Sequence, residues 1–124
     1  ARRPVMQSVF ETLRAIDSVQ MSIEARLAAA EACVERHPEL APVWLARGQI
    51  AAEAGQVDIA QRSFERALDA TGDADTRSRA ALRLSKYSSG VERIALLEMA
   101  ELPGCNLIAA ATARVRLRRI LQPV

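Results

Sequence analysis

The chain of 124 residues carries few side chains that could act as nucleophiles, bases or metal ligands. Its one histidine, His37, stands between Arg36 and Pro38. A lone imidazole at a helix end is a favourable partner for the helix dipole, and no second ligand or nucleophile lies near it in sequence. Cys33 and Cys105 are too few for a disulfide scaffold and lack metal-ligand spacing, so both read as small buried thiols in a reducing compartment. No serine, cysteine or carboxylate falls in a nucleophile or metal motif, and no glycine-rich loop could cradle phosphate. Acidic pairs such as Glu31 and Glu35 read as a solvated helix face. These residues predict a protein without catalytic activity, cofactor or bound metal.

Charge is the remaining chemistry. Sixteen arginines and Lys86 face 15 acids, a net charge of +2 that is too small to argue for nucleic acid. The preference for arginine over lysine is expected of a GC-rich bacterial genome. Half the residues are hydrophobic, 26% are charged and only 3% are aromatic, the balance of a water-soluble globular chain rich in helix formers. The best apolar run, residues 107 to 113, falls far short of the roughly 20 residues a bilayer span requires, so no membrane contact is expected. At 13.5 kDa the chain fits one domain over residues 1–124. A cytoplasmic location is expected, with the periplasm as the alternative if a leader has been trimmed ahead of Ala1.

The elements that position these side chains are set by helix punctuation. Apolar residues at helical spacing predict a helix over 5–16, and Ser22 can cap a second over 23–36, which Pro38 must terminate. Pro42 suits the first turn of a helix over 42–54, and Gly55 can take the left-handed conformation that ends it. Further helices are predicted over 58–70, 76–88, 91–102 and 107–121, the last capped by Asn106, for seven in all. Six of them pair into hairpins. Gly55 with Gly90, Ala60 with Ala95 and Phe64 with Met99 suggest a period of thirty-four to thirty-five residues, the signature of stacked helical hairpins.

The stretch from Trp44 to Leu68, with Trp44, Gly48, Gly55, Ala60, Phe64 and Ala67, resembles the tetratricopeptide repeat family. Gly48 and Ala60 are small where two antiparallel helices approach, and Trp44 and Phe64 are large around that contact. Arg47 and Ala51 depart from the family pattern, as does Gly72. The resemblance implies an all-α, right-handed solenoid of about three hairpins, with repeats at about 7–40, 41–75 and 76–106 and a terminal capping helix at 107–121. The first and third repeats are degenerate, with Arg14, Arg26 and Arg79 at positions the family fills otherwise.

In proteins similar to this one, the first helices of the hairpins line a concave groove that holds a peptide or a partner helix. Carried over by repeat position, the partner-binding residues are Leu45, Gln49, Ala52 and Glu53 in the second repeat and Arg77, Ala80, Leu84 and Tyr87 in the third. Arg77 and Tyr87 are the expected anchors. The first helices are net basic and the second helices net acidic, so the expected partner is a protein offering an acidic segment. The carboxylate clamp of tetratricopeptide co-chaperones is absent, because its lysine and asparagine positions hold Glu11, Ala15, Leu45, Gln49, Ala80 and Leu84.

The function implied is a non-catalytic interaction scaffold. The alternative is a regulatory or oligomerisation segment of a larger enzyme or secretion component, with self-association through the terminal helix. Nucleic-acid binding through Arg114, Arg116, Arg118 and Arg119 is the weakest of the three readings, since no aromatic residue accompanies them.

Overall fold

The computed structural model describes residues 13–14, 21–69, 74–102 and 106–122. It is all-helical, with no strand among the described residues. Six helices have defined bounds: α1 (Ile23–Arg36), α2 (Ala41–Glu53), α3 (Val57–Asp69), α4 (Ala74–Leu84), α5 (Gly90–Ala100) and α6 (Leu107–Leu121). A 3₁₀ turn, Ser85–Tyr87, extends α4. Of the helix expected over 5–16, only Leu13 and Arg14 are described, and both are helical.

Local chemistry sets the helix ends. The Ser22 hydroxyl accepts the Ala25 N–H at 3.1 Å and caps α1. Asn106 does the same for Ala109 at 3.0 Å, and its amide also donates to Asp75 Oδ1 at 2.8 Å, tying the start of α6 to the first turn of α4. Gly55 has φ +77°, which lets the N–H groups of Gly55 and Gln56 turn back onto the carbonyls of Ala52 and Ala51 and close α2. Gly90 also has positive φ, but it opens α5 instead of ending a helix.

Each helix packs on the ones before and after it, giving the hairpins α2/α3 and α4/α5, and first helices also touch: α2 meets α4, and α4 meets α6. In α3 the buried residues Ala60, Ser63, Phe64 and Ala67 fall at i, i+3, i+4 and i+7, one face of a helix. That face closes on Gly48, where an added Cβ would lie 2.5 Å from Phe64 Cε1. Only glycine lets the two backbones approach so closely around a buried ring.

The core has two clusters. One gathers Val43, Leu45, Ile50, Phe64, Ala67 and Leu84; the other gathers Ala81, Leu97, Ala100, Ala113 and Leu117. Half-buried Leu68 and Leu96 pack against both and join them.

The period differs from the expected one. First helices begin at Ala41, Ala74 and Leu107, each thirty-three residues after the last, and the second helices α3 and α5 keep the same offset. Leu97 and Ala100, both fully buried, therefore hold the places of Phe64 and Ala67, whereas Ala95 is exposed and Met99 half-buried. The reason is that α4 begins two residues earlier than 76. At this spacing Ala81 takes the place of Gly48 and Arg77 that of Trp44.

Candidate partner-binding surface

On one face of the α2 helix runs a strip in which Pro42, Ala46 and Gln49 are half-buried and Glu53 is exposed. Their spacing of four, three and four residues keeps them on one face. The corresponding strip of α4 and its 3₁₀ turn, counted at the observed period, is Asp75, Arg79, Leu82 and Lys86, of which all but the half-buried Leu82 are exposed. Arg83 is exposed beside it. This strip carries two cations and one acid, with Arg79 partly balanced by Asp75 at 3.8 Å.

The residues expected to bind a partner divide accordingly. Gln49 and Glu53 lie on the α2 strip, and Ala52 is half-buried against the core. Leu45, Ala80 and Leu84 are buried members of the first core cluster, so their side chains seat the helices. Tyr87 packs half-buried against that cluster with its ring stacked on Phe64, centroids 6.4 Å apart. Arg77 is half-buried, and its Nε has no hydrogen-bond partner among the described residues. In α4 the two-residue difference in its start explains the shift, since positions counted from 76 fall on the inner face and the outer face belongs to Arg79, Leu82 and Lys86; Leu45 is buried without any such difference, because it lies on the inner face of α2. The sequence signal for this was present in the alternation of Asp75, Arg79 and Arg83 with Thr76, Ala80 and Leu84, two stripes at helical spacing.

Charge also stitches successive helices. Arg47 of α2 reaches Glu31 of α1 at 3.6 Å, and Arg26 of α1 reaches Glu53 at 3.3 Å. Glu31 thus serves the α1–α2 junction, while Glu35 is exposed. Trp44 is half-buried at the same junction. Its Nε1–H donates to the Pro38 carbonyl at 2.7 Å, with the guanidinium groups of Arg47 and Arg66 at 5.8 and 5.1 Å from the ring centroid, within cation–π range.

Groups able to do chemistry are not gathered. His37 caps α1 through its backbone N–H, which donates to the Cys33 carbonyl, and its ring lies 3.8 Å from Glu39. Burial pushes the Cys33 thiol above its ordinary range, with the nearby Arg36 charge opposing that shift, so the group is held as an unreactive thiol. Cys105 lies outside the described residues. Among the described residues no cluster of histidine, cysteine and carboxylate could hold a metal ion, and no helix is long and apolar enough to cross a membrane.

The buried serines are structural. Ser78 Oγ in α4 donates to the Ala100 carbonyl at the end of α5 at 2.6 Å, and Ser63 Oγ donates to Ile59 O at 2.7 Å. Sequence reasoning missed Ser78, since nothing local separates a serine that crosses to a neighbouring helix from one on a surface. Set beside known proteins, the chain matches no family, no curated protein and no solved structure.

Proposed function

We propose that this chain is a right-handed solenoid of tetratricopeptide-like hairpins acting as a non-catalytic scaffold, one that binds an acidic peptide or helix of a partner protein across its first helices. The observation that carries the reading is the equal spacing of α2, α4 and α6 together with their mutual contact. A layer of first helices in succession offers one continuous surface, which is how stacked hairpins recognise extended partners. The exposed cations Arg79, Arg83 and Lys86 of α4 and its 3₁₀ turn, in the middle of that layer, favour an acidic segment.

The test is affinity capture with the native chain beside an Arg79→Glu, Arg83→Glu variant, both residues being exposed and the fold being checked by circular dichroism. The reading expects acidic partners that the native chain retains and the variant loses. Identical sets on both would overturn it.

A further inference from the structure

The α6 helix occupies the position of a first helix, yet one of its faces is treated differently from the same face of α2 and α4. At the thirty-three-residue period, four places form a stripe: Ala41, Leu45, Gly48 and Ala52 in α2, and Ala74, Ser78, Ala81 and Ser85 in α4 with its 3₁₀ turn. All eight are buried or half-buried. The stripe faces the second helix of the hairpin, as the Gly48–Phe64 approach and the Ser78–Ala100 hydrogen bond both record.

In α6 the same places hold Leu107, Ala111, Arg114 and Arg118, and every one is exposed, Leu107 by 82%. Places on the other side stay buried: Ala109 matches Val43 and Thr76, and Leu117 matches Ala51 and Leu84. Exposure in α6 therefore takes in the face that a second helix covers elsewhere in the molecule, and it extends beyond it to Ile108, Val115, Arg119 and Ile120. Along it lies an open depression of about 530 Å³ lined by Arg114, Leu117, Arg118, Leu121 and Gln122.

The residue types say what fits there. Where the hairpins have Gly48 and Ala81, α6 has Arg114, so a helix presenting an aromatic or leucine at the place of Phe64 or Leu97 would meet a guanidinium. The α6 helix contains four arginines and no acid. Arg114 reaches Glu101 at 3.0 Å, whereas Arg116, Arg118 and Arg119 have no ion pair among the described residues. A second copy of α6 would bring like charges together, which is unfavourable.

We infer that the outer face of α6 docks an amphipathic helix of another protein, one with aliphatic residues for Leu107, Ala111 and Leu121 and with Asp or Glu opposite Arg118. The partner takes the place against α6 that α3 and α5 hold against α2 and α4. This surface is distinct from the basic strip of α4, and neither requires the other.

The probe is a fluorescent synthetic peptide of about 20 residues, long enough for appreciable helix, with leucine and alanine on one face and glutamate along its edges. Anisotropy titrations with the full chain compare it with a scrambled peptide of the same composition and with a version carrying lysine for glutamate. Binding of the amphipathic acidic peptide alone is expected. Arg118→Glu should weaken it at least tenfold and Ala111→Glu should abolish it, with helical content unchanged. An Arg79→Glu, Arg83→Glu variant should bind as the native chain does, which separates this surface from the groove.

Equal binding of the scrambled peptide, or an unchanged affinity in Arg118→Glu, would overturn the inference. So would a dimer of the native chain that Ala111→Glu converts to monomer, since a second copy would then cover the face. An oligonucleotide binding through Arg118 more tightly than the acidic peptide would assign the surface to nucleic acid and overturn it equally.

Discussion

The α2/α3 hairpin and α6 present the same stripe of the same kind of helix, one covered and one open. In α2 the stripe carries no charge and narrows to Gly48, which admits Phe64 so closely that the ring is 1% exposed. In α6 it carries leucine, alanine and two arginines and stands in solvent. A repeated fold thus repeats a position without repeating its environment. Where the stripe is uncharged it makes a core, and where it carries arginines it makes a surface.

That contrast is broken most forcefully at its covered end. Phe64→Ala removes a buried ring with little room for collapse and should cost about 3–5 kcal/mol in equilibrium unfolding. A cost under about 1 kcal/mol would mean that the ring does not hold α2 to α3. Gly48→Ala forces a Cβ into that ring and should cost about 1–3 kcal/mol. Combining it with Phe64→Leu should cost less than the two single changes added, because the smaller side chain leaves room for the new methyl.

Asn106→Ala removes both the cap of α6 and its bond to Asp75, for about 1 kcal/mol. Thermal melts would reveal that loss, and an unaltered melting temperature would show the cap to be idle. At the open end Leu107→Ser should change stability by no more than about 0.5 kcal/mol, as expected of an exposed site. A larger loss would mean that the residue is packed.

Helix existence was legible because it rests on local chemistry. Ser22, Pro38 and Asn106 delimit α1 and the start of α6, and their effects act within one turn. The hairpin α2/α3 was legible too, since glycine opposite a phenylalanine has few other uses. The register of α4/α5 was not. Gly90 resembles Gly55 in type and in backbone conformation, yet one opens a helix and the other follows one. Anchoring the count on that pair moved it by two residues, which exchanged the inner face of α4 for the outer. Arg77 and Tyr87 then looked like exposed anchors, although one is half-buried and the other stacks on Phe64. The open face of α6 depended on that same register, so its meaning emerged only with the period of thirty-three.

The register is therefore the claim to test directly, by equilibrium unfolding of Ala81→Leu and Arg83→Leu side by side. With Ala81 at the place of Gly48, leucine there overpacks the α4/α5 contact and should cost about 1–3 kcal/mol, while exposed Arg83 should accept leucine within about 0.5 kcal/mol. The reverse order, Arg83→Leu disruptive and Ala81→Leu tolerated, would contradict the thirty-three-residue period and the two surfaces derived from it.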